Sequence, residues 1–427
     1  MPAAATAAGI LVSSNLFRAD ASNSVSPQRE SVNDTDAKTI LLRNARVVLA
    51  ERIIQHTILI ADGYITRILE AAADEVVNAD AIFDLNGLTL TPGFIDVHIH
   101  GAVGVDTLAA SADELHKVAR FLAREGVTAW LPTLVPAPDE DYARAVASIA
   151  QLMREQDERP PAARALGVHY EGPFVNHAQC GALRPIFFRT YHTPADVASL
   201  PRVKHEMAAH MITVAPEIEG GLELVRELTA RGFVVSIGHT RADVATLDAA
   251  HAQGARHMTH FFNAMSPLHH RAPGPIGWGL TNDAVTCDII ADGVHTDPLM
   301  LRLALRCKSA ARLLLISDAV APTGLGDGNY ELWGEQVAVV NGRTQNERGS
   351  IAGSVSTMRD SVRLLHTLGV APPELARMTA HNPARLLGVH DVCGAIETGK
   401  RADLIALDDE GRVRFTLVGG RIAFSDL

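Results

Sequence analysis

The sequence predicts an α/β protein, a (β/α)8 TIM barrel with a small β-sandwich domain built from both termini. Three observations carry that expectation. Eight short apolar runs are separated by stretches that can hold helices; both ends of the chain are β-rich; and His, Glu and Asp recur at the ends of the apolar runs.

In chain order, residues 1–36 are rich in Ala, Ser, Asn and Asp without periodicity, which predicts a disordered tail. Residues 37–92 read as short strands punctuated by Ala-Asp-Gly and Leu-Asn-Gly turns, and residues 391–427 read the same way. The two stretches are assigned to one small β domain, because chain ends commonly lie close together. Residues 93–390 form the barrel. Its runs are 94–100, 127–135, 165–175, 211–217, 234–240, 257–263, 285–293 and 312–321. The segment SADELHKVARFLAREG opens with a Ser-x-x-Glu capping box and keeps helical periodicity, and GGLELVRELTARG and RADVATLDAAHAQG end in glycine as helices do. Eight strand–helix units suit a closed parallel barrel. The competing doubly wound sheet usually has fewer strands and a glycine-rich phosphate loop after the first, and no such loop is present.

Apolar residues make up 47% of the 427 positions and charged ones 20%, ordinary values for a globular protein. The net charge of −11 argues against nucleic acid or an anionic membrane as partner. No apolar run approaches the ~20 residues that span a bilayer. Cys180, Cys287, Cys307 and Cys393 form no paired motif, which predicts reduced thiols and a cytoplasmic location.

In a parallel barrel all strand C-termini open on one mouth. His98 and His100 end the first run, Glu171 the third, His239 the fifth and His260 the sixth, and Asp318 follows the eighth. Two residues apart on a strand, His98 and His100 face the same side. Imidazole and carboxylate are ligands for zinc, iron and related divalent ions, so the six residues predict a metal site. A divalent ion lowers the pKa of a bound water toward ~7 and polarises a carbonyl, and a neighbouring carboxylate must then shuttle the proton. Asp318 is the candidate for that shuttle, as a metal ligand, a general base/acid, or both. Glu217, His169 and His257 are read as core or supporting groups.

The blocks TPGFIDVHIHGAVGVDT, HYEGPFVN, SIGHT, THFFNAMSPLHHRAPG, ADGVHTD, ISDAVAPTG, AGSVSTMRDSVR, NPARLLG and GKRADLIALD resemble, in order, those of the N-acetylglucosamine-6-phosphate deacetylases of the amidohydrolase superfamily, over residues 40 to 427. The resemblance implies hydrolysis of the N-acetyl group of an amino-sugar phosphate to the free amine and acetate. It implies that Glu171, His239 and His260 hold the main metal, and that His98 and His100 supply a second metal bridged by Glu171. Zinc or iron is the expected ion, one or two per subunit. Asp318 matches the family's general acid/base. Ala182, Asn263, Ala264, Arg271, His295, Ile351, Ala352 and Gly353 match substrate-binding positions, Arg271 for the phosphate. A homodimer is implied, with Arg271 or its neighbours reaching across.

The chain departs from that pattern after EGPFVN. Where the family usually reads Lys-Gly-Ala-His, this sequence has Cys180-Gly181-Ala182-Leu183. The change opens N-acetylgalactosamine-6-phosphate and unphosphorylated N-acyl sugars as alternative substrates. A cyclic amidohydrolase would bridge its metals with a carboxylated lysine, and no Lys stands at these strand ends. A non-catalytic scaffold would lack ligands that this sequence keeps.

Overall fold

The computed structural model describes residues 38–70 and 78–427, all within one compact unit spanning Thr35–Leu427. The tail expected over residues 1–36 lies outside the described residues. None of the described helices is long and apolar enough to cross a membrane.

Strands from the two ends of the chain share one sheet. Its order runs Arg421–Ser425, Val413–Val418, Leu404–Leu407, Thr89–Pro92, Thr39–Val48, Ile53–Ala61, Tyr64–Glu70, with Ala81–Asp84 also pairing Thr39–Val48. The junction is the antiparallel ladder of Leu404–Leu407 on Thr89–Pro92. Asp62 and Gly63 turn the Ile53/Tyr64 hairpin with φ of 48° and 82°, the two left-handed residues that a tight hairpin needs to match strand twist. Leu42, Ile58, Ile60, Leu90, Leu404 and Phe415 fill the core of this part.

The barrel strands are, first to eighth, Phe94–Ile99, Val127–Leu134, Gly167–Glu171, Ala209–Val214, Val234–Ile237, His257–Met258, Thr286–Ile290 and Leu313–Ile316. Each pairs in parallel with the next. Seven of the eight predicted runs contain one of these strands, and the fourth, 211–217, overlaps a strand that begins two residues earlier, at Ala209. Helix Ala112–Arg124 starts at Ser111 with the expected capping box to Glu114, and Gly221–Ala230 and Val244–Ala252 stop just before Gly232 and Gly254.

Between the eighth and first strands there is no regular ladder. The seam is closed by the Asp318 amide donating to the His98 carbonyl at 3.0 Å, and by the His100 and Gly101 amides donating to the Ala319 carbonyl at 2.8 and 3.1 Å. Beneath them, fully buried Asp96 accepts the Ser317 hydroxyl at 2.5 Å and the amides of Ser317 and His98 at 3.3 Å. Burial pushes its pKa up to about 7. The seam therefore sets where His98, His100 and Asp318 stand relative to one another.

Two parts differ from the sequence expectation. The sixth strand is only two residues long, because the chain turns through left-handed backbone at His260, Phe262 and Ala264. After the eighth strand, Gly328–Leu332, Glu335–Val340 and Arg343–Asn346 form a separate antiparallel sheet that no motif announced.

Replacing Asp96 with Ala strands a buried hydroxyl and two amides. Chemical denaturation should show a loss of about 2–4 kcal/mol; a loss under ~0.5 kcal/mol, the range of neutral surface changes, would mean the seam holds without it.

Candidate active site

At the C-terminal mouth of the barrel, the six predicted residues converge. His98, His100 and Glu171 sit on strand ends, while His239, His260 and Asp318 follow their strands by two residues. These last three have φ of 48°, 32° and 49°. Non-glycine residues avoid that region at a cost on the order of 1–3 kcal/mol each, and such strain collects where a side chain must be aimed. The backbone at His260 is pinned by its amide donating to Asp288, whose other oxygen lies 2.8 Å from His257 Nε2.

The Nε2 atoms of His239 and His260 are each 3.0 Å from Glu171 Oε1 and 3.0 Å from each other. On the other side, His98 and His100 Nε2 are 3.1 Å apart, and His100 is 3.3 Å from Glu171 Oε2. Asp318 Oδ1 lies 3.4 Å from His98 Nε2 and 3.3 Å from His100 Nε2. Two triads result, His98/His100/Glu171 and Glu171/His239/His260, each with its ligand atoms within 4.8 Å of one another. Ligands on a tetrahedral ion at about 2.0–2.1 Å stand roughly 3.3–3.4 Å apart, close to the spacings here. Tautomer chemistry agrees. His239 Nδ1 donates to the Gln179 carbonyl at 2.7 Å, which fixes the ring and leaves Nε2, facing a carboxylate oxygen, as the atom that could ligate an ion.

The electrostatics point the same way. Burial would raise the Glu171 pKa, but the surrounding imidazoles, His98 first, hold it well below the carboxylate range. Burial opposes a proton on His100, yet hydrogen bonds to Asp318 and Glu171 outweigh it and lift the pKa to about 10; Glu171 does the same for His260, to about 9. Burial instead pushes His98 well below its ordinary value. Without an ion, protons supply the positive charge that the carboxylates require. Under Glu171, burial lowers the His169 pKa to about 3; it bridges the Val97 carbonyl and the Thr213 hydroxyl. Glu217 accepts from Asn176, Thr240 and the Arg241 amide and braces the loops.

Beside the cluster lies a cavity of about 270 Å³. The model of the amidohydrolase family matches residues 89–423, which contain all six clustered residues. The chain belongs to the amidohydrolase family. N-acetylglucosamine-6-phosphate deacetylase of Bacillus subtilis is 34% identical over 91% of this chain and 98% of its own length. N-acetylgalactosamine-6-phosphate deacetylase of Escherichia coli O157:H7 is 36% identical over 90% and 99%. Among solved structures, a mutant N-acetyl-D-glucosamine-6-phosphate deacetylase of Mycobacterium smegmatis in complex with N-acetyl-D-glucosamine-6-phosphate superposes with a TM-score of 0.82 at 31% identity, covering 91% of this chain and all of that one.

In this amidohydrolase, Ala182, Asn263, Ala264, His295, Ile351 and Gly353 line the cavity. Ala352 does not; it is buried against Val320 and Leu332, while the residues on either side face the cavity. Arg271 does not line it either. It is exposed on the loop after the sixth strand, with Nη1 2.7 Å from His270 Nε2. No Lys or Arg is among the described lining residues. His295 Nδ1 is 2.7 Å from Asp292, a carboxylate that His295 and two backbone amides keep ionised despite its burial. Trp333 also lines the cavity and no motif flagged it, since its position depends on a hairpin far along the chain; Leu183 closes the same side.

Since His100 and His260 hold protons at pH 7 and a metal needs neutral imidazoles, loading Zn²⁺ should release protons, about one or two per chain. Calorimetric titration in buffers of different ionisation enthalpy reads this directly, and identical heats in every buffer would contradict it.

Proposed function

We propose that the chain hydrolyses the N-acetyl group of N-acetylglucosamine 6-phosphate, giving glucosamine 6-phosphate and acetate. The observation that carries the reading is Glu171, shared by two ligand triads with Asp318 alongside, at the mouth of a barrel whose relatives are named for this reaction. Glu171, His239 and His260 would hold one divalent ion, and His98, His100 and Glu171 a second; the nitrogen and oxygen donors suit zinc or iron. Such ions supply Lewis-acid polarisation of the amide carbonyl and a water that ionises near neutral pH. The titration described above counts them, with two expected per chain.

Among the described lining residues Asp318 is the carboxylate besides Glu171, and it takes the roles of base and then acid, accepting the water's proton and delivering it to the leaving amine. His295, held through Nδ1 by Asp292, presents Nε2 to the substrate. Asn263, Ala264 and the Ile351–Gly353 backbone position the sugar. Asp318→Asn should cut acetate release by about 10²–10⁴-fold with metal retained; full activity would remove the assigned role.

The phosphate needs a cation, and no Lys or Arg is among the described residues that line the chain's own cavity. Arg271 is suited to it, because its planar fork makes paired charge-assisted bonds. A homodimer in which Arg271 reaches the neighbouring copy's cavity accounts both for its exposure and for the missing charge. Arg271→Ala should raise KM roughly 10–100-fold for the phosphorylated sugar and leave the unphosphorylated sugar unaffected; equal effects on both would exclude a phosphate contact. The galactosamine epimer is the second reading, favoured by the 36% identical relative and by Leu183, and acetate release from the two epimers side by side decides between them. Four unpaired cysteines suit a reducing cytoplasm.

A further inference from the structure

The hairpin between Gly328–Leu332 and Glu335–Val340 turns through Trp333 and Gly334, with φ of 53° and 80°. The geometry is that of a turn favouring Asn-Gly, and a bulky side chain at its first position is unusual. Three elements hold it. The indole Nε1 donates to half-buried Asp106 at 2.8 Å, the Trp333 carbonyl accepts from Arg184 Nη1 at 2.8 Å, and the ring meets His100 edge-on with centroids 5.4 Å apart. Leu183, 2% exposed, packs against it with Val135 and Val175. An appended hairpin thus places an aromatic wall one ring away from a predicted metal ligand.

The carbonyl to be hydrolysed must sit at the cluster. Two groups flank it, the nitrogen bearing the sugar and the carbon of the acyl chain. With the sugar directed toward His295 and Asn263, the acyl carbon would be left to face the wall beside His100. That wall has no free hydrogen-bonding group, since Nε1 is committed to Asp106 and Leu183 has none. It is suited to a methyl group and leaves little room behind it. Resting on the deacetylase reading, we propose that Trp333 is a specificity-determining residue that limits the acyl group of the substrate to acetyl size.

The experiment compares kcat/KM for N-acetyl and N-butyryl forms of the same hexosamine phosphate in wild type, Trp333→Ala and Trp333→Phe. Wild type should favour acetyl by about 100-fold or more, since each methylene that a pocket cannot place costs roughly 10-fold or more. Trp333→Ala should shrink that ratio at least ~10-fold through a gain on butyryl, with Phe between. A gain on one substrate cannot arise from general damage. Binding gives a second readout. Of the three tryptophans, Trp130 and Trp278 are buried, so acetate should change the fluorescence of wild type and not of Trp333→Phe. An acetyl-to-butyryl ratio that stays put in both variants overturns the proposal. So does a change only in discrimination between sugar epimers, which would put the indole against the sugar. Wild type that hydrolyses no N-acyl hexosamine phosphate sinks the deacetylase reading itself.

Discussion

A single buried carboxylate organises this molecule. Glu171 has His239 and His260 at one oxygen and His100 at the other, all in a mouth from which water is largely excluded. An ionised carboxylate in such a place is unstable unless positive charge meets it at close range. That charge must come from imidazolium protons or from metal ions, and the residues around Glu171 are of a kind that can accept either. The requirement reaches outward. Each partner must come from a different strand and arrive within a few tenths of an ångström, and a closed barrel is an architecture that aims so many strand ends at one point.

The supporting shell shows how that aim is kept. His239, His260 and Asp318 leave their strands in left-handed backbone that no local propensity favours. Each is tied down by its surroundings: His260 by Asp288, His239 by the Gln179 carbonyl, and Asp318 by the His98 carbonyl across the seam. The strain is tolerated because these bonds over-determine the conformation. Asp96 has the same function one layer lower, where it joins the first strand to the eighth in place of a ladder.

Much of this was legible in the sequence because it is written in local patterns. Apolar runs marked the eight strands, the Ser111/Glu114 pair marked a helix start, and the His-x-His spacing marked two candidate ligands on one strand face. Polar residues at run ends became legible once a barrel was assumed, since that topology alone collects them. What stayed hidden depends on tertiary placement. The sixth strand stops after two residues because Asp288, 28 positions away, captures the His260 amide. Ala352 lies among residues that match a substrate-contacting stretch, yet it turns into an apolar cluster. Trp333 reaches the cavity from a hairpin whose position no period reveals, and its partner Asp106 is 227 residues distant.

The separation of charges in the site follows from the same carboxylate. Like charges about 4 Å apart repel by roughly 4 kcal/mol at the effective dielectric of a partly buried site. A guanidinium fixed beside Glu171 would therefore compete with the metal ions for the same negative charge and weaken their binding. With no Lys or Arg among the described lining residues, Glu171 and Asp318 are left free to hold cations, and the proposed phosphate contact falls to an exposed loop. Arg271 on such a loop can be brought to the substrate's far end by a second copy of the chain without approaching the cluster. In that arrangement the site's two electrostatic tasks, gathering cations and binding an anion, no longer oppose each other, and dimerisation becomes a part of substrate recognition.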